Sequence, residues 1–386
     1  MNAIPRQERF YLLSVDILKG MAVFPMLFSH SVGWWNETLS RNYDTLGSFA
    51  VVFIWFTGLM VFPCFLFIYG FNQVNSFIRK KENSSSYDIR SHAIKRSIVF
   101  FLFASLALAI MSFIQAPEKL FNYLLTWHLL HLFAFSTLFL LILWELASWL
   151  EKKTSWSFQR AFTALLFSCF FSTITLFIFF HDYTVIKENS RLFPVTLDVQ
   201  AILEGIFLDV SSCGLIPWLS FPLAGGITAS IFNLPFSSEK SKILQKATLL
   251  FVVNTLFLIF GVLYLRKERF ISAGLGFASS FPHVFISIGF IGCVFIVLIL
   301  TLDIFQIYPH KSSFRLFYPI VVVSKISLTV YLVHPVIGIF DPSLIPSEEV
   351  LLLLVFLYGL FFIILAHMWQ KRDFKYSFEW IIRKYS

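Results

Sequence analysis

Apolar residues run along this chain in long blocks separated by short polar segments. A helix needs about 20 mostly apolar residues to cross a bilayer. Blocks of that kind fall near 11–32, 47–73, 97–114, 121–149, 161–180, 213–232, 247–265, 284–304, 317–338 and 350–369. They predict an all-α polytopic transmembrane helical bundle of about ten spans, folded as one domain over 1–386. The fourth block is long, and Trp127, His128 and His131 interrupt it. It reads either as one tilted helix or as a re-entrant piece followed by a helix. The polar segment 181–212 is the longest expected outer loop, and 198–209 within it is expected to lie on the membrane surface as an amphipathic helix. Apart from the short serine run Ser84–Ser86 there is no low-complexity tract, and no fixed-period repeat is visible.

Charge orients these spans. With the N-terminus inside, the expected inner segments hold clusters such as Arg79, Lys80 and Lys81, then Lys95 and Arg96, Lys152 and Lys153, and finally Lys371, Arg372, Lys375, Arg383 and Lys384. The expected outer segments hold only Arg41, Lys119, Lys187, Arg191, Arg266, Lys267 and Arg269. That bias follows the positive-inside rule and places both termini in the cytoplasm.

Composition agrees with a membrane protein. Of 386 residues, 58% are hydrophobic and only 13% charged, against about 25% charged in soluble domains. The net charge of +8 belongs to cytoplasmic loops facing anionic headgroups, so nucleic acid is not an expected partner. Cys64, Cys169, Cys213 and Cys293 share no CxxC or metal-ligand spacing, and no metal is expected. The first apolar block contains Asp16 and Lys19 and has no small-residue cleavage site, so it should persist as a span.

Ionisable residues inside spans are costly and therefore mark candidate sites. Asp16, Lys19 and His30 share one face of the first span: Lys19 lies about 60° and His30 about 40° from Asp16 on the helical wheel. His30 sits roughly 16 Å beyond Lys19 along the axis. Asp16 and Lys19 read equally as a structural pair at i, i+3 or as part of a site. His30 reads as a general base for an amine or hydroxyl, or else as a residue that merely wets the interface. His128 and His131 share a face of the fourth span. Arg96 opens the third span, suited to a phosphate or a headgroup. Ser324, Lys325 and His334 lie in the ninth span, where Lys325 either snorkels to the interface or binds a ligand. Pro63, Pro217 and Pro335 are expected to kink their spans, which either line a cavity or simply bend.

Several stretches, in order, resemble one family. Ser14-Val15-Asp16-Ile17-Leu18-Lys19-Gly20, followed by Met26 and His30, is similar to the opening of the heparan-α-glucosaminide N-acetyltransferase-like membrane proteins, with Lys19 where Arg is usual. Phe62-Pro63-Cys64-Phe65-Leu66-Phe67-Ile68-Tyr69-Gly70 resembles the second-span pattern, although the acidic residue that often precedes it is absent. Lys95-Arg96, Leu129-Leu130-His131 and Leu215-Ile216-Pro217-Trp218 through Gly225-Gly226 match later segments. Ser327-x-x-x-Tyr331-Leu332-x-His334 resembles the closing motif, also seen in bacterial multi-pass acyltransferases that decorate surface polysaccharides. No counterpart of the luminal N-terminal domain of the animal enzyme is expected.

The resemblance implies transfer of an acyl group, usually acetyl, from cytosolic acyl-CoA to a sugar amine or hydroxyl on the far side of a cell membrane. Acetyl-CoA or another acyl-CoA would be the co-substrate. Lys19, Arg96, His131 and Lys325 would hold it, and Asn36, Trp218 and His334 would meet the glycan acceptor. His30, with Asp16, would carry the chemistry as general base or as transient acyl carrier. The expected partners are the lipid bilayer, acyl-CoA and the glycan; a homodimer is compatible with the pattern. A transporter of a small polar solute or acylated glycan, and a non-catalytic membrane scaffold, remain as alternatives.

Overall fold

The computed structural model describes residues 12–39, 48–115, 129–188, 215–232, 240–267, 281–305, 311–335 and 348–385. These residues are helical almost throughout, joined by short turns. In chain order the helices are α1 (Leu13–Leu39), α2 (Ser48–Asn83), α3 (Ser86–Gln115), α4 (Leu129–Lys153), α5 (Phe158–Glu188), α6 (Leu215–Trp218) and α7 (Ser220–Phe232). They continue as α8 (Lys240–Lys267), α9 (Phe281–Leu298), a π-helical turn (Ile299–Ile304), α10 (Lys311–Ser324), α11 (Ser327–Val333), α12 (Glu348–Gln370) and α13 (Phe378–Tyr385). The expected surface helix at 198–209 lies outside the described residues, as do Trp127 and His128.

Eight of these segments are long and apolar enough to cross a membrane, and the chain is an all-α polytopic membrane protein. The two expected spans that fall short carry the polar residues. Asp16, Lys19 and His30 lower the hydropathy of α1, which is nonetheless 27 residues long. The ninth block divides at Lys325 and Ile326 into α10 and α11. Its break therefore lies ten residues before Pro335, where the sequence placed a kink. Pro63 sits inside an uninterrupted α2. Pro217 does bend its span: Ile216, the residue before it, is held extended at φ −108°, ψ 117°, as the proline ring demands.

Several helices outrun their apolar blocks. α2 and α3 extend through the basic segment between them, leaving a hairpin at Ser84 and Ser85. Ser85 Oγ accepts from the Asp88 N–H at 3.1 Å and donates to the Asp88 carboxylate at 2.7 Å, a capping arrangement that starts α3 early. Ion pairs tie both extensions to the C-terminal part of α4. Lys81 Nζ meets Glu151 at 2.6 Å, and Arg90 grips Glu145 through both Nε and Nη2. Residues 181–188 of the expected outer loop also continue α5.

Helix α7 is the hub, with 89% of its span buried together with α6; α8 and α12 lie at the rim with 22% each. α2 and α7 cross through two glycines. A Cβ on Gly70 would stand 1.9 Å from the Pro222 carbonyl oxygen, and one on Gly225 would stand 1.9 Å from that of Phe67. Small residues let membrane helices approach backbone to backbone, where lipid supplies no hydrophobic drive between them. Gly20 does the same for α1 against Ile320 of α10.

Gly225→Ala is therefore expected to lower the thermal midpoint of the detergent-solubilised protein, with a cost of about 1–3 kcal/mol or more from overpacking. Gly359→Ala, whose nearest neighbour would be Phe24 at 3.6 Å, should leave the midpoint unchanged. Equal midpoints for the two variants would remove the close crossing as a determinant of the fold.

Candidate functional site

Two groups of polar side chains meet between α1 and the broken α10–α11 pair, one at each end. At the α1 N-terminal end, Asp16 is buried and accepts a hydrogen bond from Ser324 Oγ at 3.0 Å and an ion pair from Lys325 Nζ. Lys19, one turn on, interacts electrostatically with Glu379, Asp16, Lys325 and Arg96. Asp16 thus forms its ion pair across helices, with a residue more than 300 positions away, and Lys19 three residues on adds only a longer-range electrostatic interaction. Lys325 does not run outward to the interface; the break in the ninth span turns it inward to Asp16.

Two carboxylates absent from the sequence-based site complete this end. Glu379, on α13, accepts the N–H groups of Leu328 at 2.5 Å and Thr329 at 3.2 Å, and the Thr329 hydroxyl at 2.6 Å. It caps α11, whose first turn would otherwise leave donors unsatisfied inside the bundle. Asp303, in the π-helical turn after α9, accepts from the Leu13 N–H at 2.8 Å and the Ser14 N–H at 3.3 Å. It caps α1 from a neighbouring helix.

Arg96, on α3, lays its guanidinium over the rings of Tyr69 at 5.3 Å and Phe100 at 5.7 Å. Its Nε is buried with no hydrogen-bond partner. Tyr69 Oη in turn bonds the Thr137 hydroxyl, linking α2 to α4.

At the other end His30 faces His334. Their ring centroids are 4.9 Å apart with planes inclined at 56°. His334 is buried, whereas His30 is exposed on its far side. His334 Nδ1 lies 2.6 Å from the Tyr331 carbonyl. A carbonyl only accepts, so Nδ1 carries the proton and Nε2 is the basic nitrogen of the neutral ring. Tyr358 donates to the His334 carbonyl at 3.1 Å and holds the end of α11.

The two ends are not joined along α1. On α1 the intervening positions Val23, Met26 and Leu27 are buried among Val61, Ile326, Val330 and Phe362, so the α1 face itself is not a continuous polar seam. The polar line instead follows α11: Ser327, Tyr331 and His334, at i, i+4 and i+7, share one of its faces.

The remaining site residues separate. Asp16 stands about 21 Å along α1 from His30, so it holds the break and does not orient the imidazole. His131 is buried against the Phe101 ring, centroids 4.6 Å apart. Trp218 packs among Phe62, Phe221 and His283, neither of the paired histidines being a ring neighbour. Asn36 lies on α1 beyond the side chains that are described.

Neither a family model nor a curated protein matches the chain.

The cross-helix pairing sets a double-mutant cycle. Asp16→Ala should destabilise the protein by about 1–3 kcal/mol, because Ser324 and Lys325 lose their acceptor in a partly buried place. Asp16→Ala combined with Lys325→Ala should cost less than the sum of the single changes, a coupling of about 0.5–3 kcal/mol, whereas Lys19→Ala should couple to Asp16 more weakly than Lys325→Ala does. Thermal or denaturant midpoints measure both; the reverse order would restore the pair within α1.

Proposed function

We propose that this chain is a transmembrane acyltransferase that moves an acyl group, acetyl in the simplest case, from acyl-CoA to an amine or hydroxyl of a sugar or glycan across a cell membrane. The observation that carries the reading is the His30–His334 pair at one end of a helix whose other end borders Lys19, Arg96 and Lys325. Transfer across a bilayer needs cations for the CoA phosphates at one surface and a base at the other, and these residues have that polarity.

Within this scheme Lys19 and Arg96 take the phosphates. Lys325 contributes less than the sequence suggested, since it is already paired with Asp16. The unpartnered buried Nε of Arg96 suits an incoming anion. His30, which is exposed, meets the acceptor, takes its proton as the acceptor attacks the thioester carbonyl, and returns that proton to the CoA sulfur as the C–S bond breaks, with the His334 ring packed beside it. The acyl-histidine route, with His30 attacking first, uses the same geometry.

One observation favours a second reading. A broken span with polar groups at the break also occurs where transporters bind solutes. Acyl-CoA consumption that depends on an amino-sugar acceptor supports the enzyme, and solute flux with no consumption supports the transporter.

His30→Ala is expected to lower acceptor-dependent transfer from acetyl-CoA by about 10²–10⁴-fold in reconstituted vesicles while leaving the protein folded. Lys19→Ala should raise the KM for acetyl-CoA with kcat little changed, as loss of a binding contact does. Normal turnover by the His30 variant would remove that residue from the chemistry.

A further inference from the structure

The C-terminal segment offers something the acyl-transfer scheme does not use. After α12 ends at Gln370, the chain reverses through a turn in which Asp373, Phe374 and Tyr376 all take positive φ, at 52°, 54° and 67°. Non-glycine residues rarely sit there, and three within four positions persist only when surrounding contacts impose the shape. Those contacts are present. Trp369 Nε1 donates to the Lys375 carbonyl at 2.6 Å, buried Ser377 caps α13 through the Trp380 N–H at 3.1 Å, and Phe378 meets Phe103 of α3 edge-on at 4.9 Å.

The turn and α13 divide their side chains sharply. Inward go Ser377, Ile382 and the Glu379 carboxylate that caps α11. Outward go Lys371, Arg372, Lys375, Arg383 and Lys384, all exposed, together with Tyr376 and Tyr385. Lys384 Nζ lies 4.8 Å from the centre of the Trp380 ring and 5.3 Å from that of Tyr385. Asp373 is the only exposed acid of the segment. Five cations with aromatic rings, emerging directly from a membrane helix, have the chemistry of a surface for anionic headgroups.

We propose that Lys371–Tyr385 docks on anionic phospholipid headgroups, and that Glu379 on its inner face couples this docking to the break between α10 and α11. Lipid that holds α13 in place keeps the carboxylate on Leu328 and Thr329. Without it α13 loosens, the first turn of α11 loses its cap, and the helix carrying His334 frays from its start. This coupling is separate from the acyl-transfer scheme and stands or falls on a structural readout.

The experiment is hydrogen–deuterium exchange over 327–333 of the full chain, in nanodiscs of phosphatidylcholine alone or mixed with phosphatidylglycerol. Exchange at Leu328 and Thr329 should be slower by about tenfold in the anionic discs, a fold-change within reach of one or two headgroup contacts. A variant with Lys371, Arg372, Lys375, Arg383 and Lys384 all changed to Gln should exchange fast in both lipids. Glu379→Leu, which keeps most of the side chain's bulk but removes both acceptor oxygens, should also exchange fast in both. Equal wild-type exchange in the two lipids, or a lipid effect surviving in the five-Gln variant, overturns the docking surface. Slow exchange in Glu379→Leu overturns the coupling.

Discussion

The architecture turns on one constraint: a helix that stops inside a membrane bundle must find partners for the backbone groups it exposes. The ninth span stops at Lys325 and Ile326, with little water at hand to satisfy the ends. Glu379 reaches in from the last helix to accept the N–H groups of α11, while Asp16 on the first helix takes Ser324 and Lys325. The two ends of the chain are thus brought to the same break. Asp303 extends the pattern by capping α1 itself. Three carboxylates that would each be costly alone become the pins that register α1, α9, α11 and α13 against one another.

Around that break the packing follows the rules of a medium without hydrophobic drive. Gly70, Gly225 and Gly20 bring backbones into contact, and α7 is enclosed at the centre. The rim helices α8 and α12 present exposed Leu, Phe and Ile outward, as lipid allows. The bundle is therefore tight where helices cross, and polar only where the broken span needs it. The two expected spans outside the eight long apolar helices, α1 and α10–α11, are the ones that carry the paired histidines and the charged cluster.

Several features of the site were legible before any fold. The costs of Asp16, Lys19 and His30 in an apolar block, and their common helical face, pointed to α1 as the polar helix. Ser327, Tyr331 and His334 stood at a helical spacing whose shared face the structure displays. Other features were not legible. Asp16 had a cation three residues away, which local spacing offered as one of two equal readings; the ion-pair partner lies in the distant ninth span, where the backbone break turns Lys325 toward Asp16. Glu379 sits in a basic tail that reads as a solvated or headgroup-facing end. The apolar run of Phe378, Ile381 and Ile382 does mark an amphipathic helix, but nothing in it says which helix end the carboxylate will cap.

By itself the sequence determined the membrane class, the helical content and most span positions, because hydrocarbon thickness and backbone satisfaction leave few choices for apolar blocks of this length. It also fixed which faces of single helices are polar, since that follows from a period of about 3.6 residues. Tertiary structure decided the rest: that His30 meets His334, that Asp16 meets Lys325, and that the ninth span breaks at Lys325 while the helix around Pro63 runs on. Those outcomes depend on what surrounds each group in space. A residue's own neighbours along the chain carry no record of the helix that will finally stand beside it.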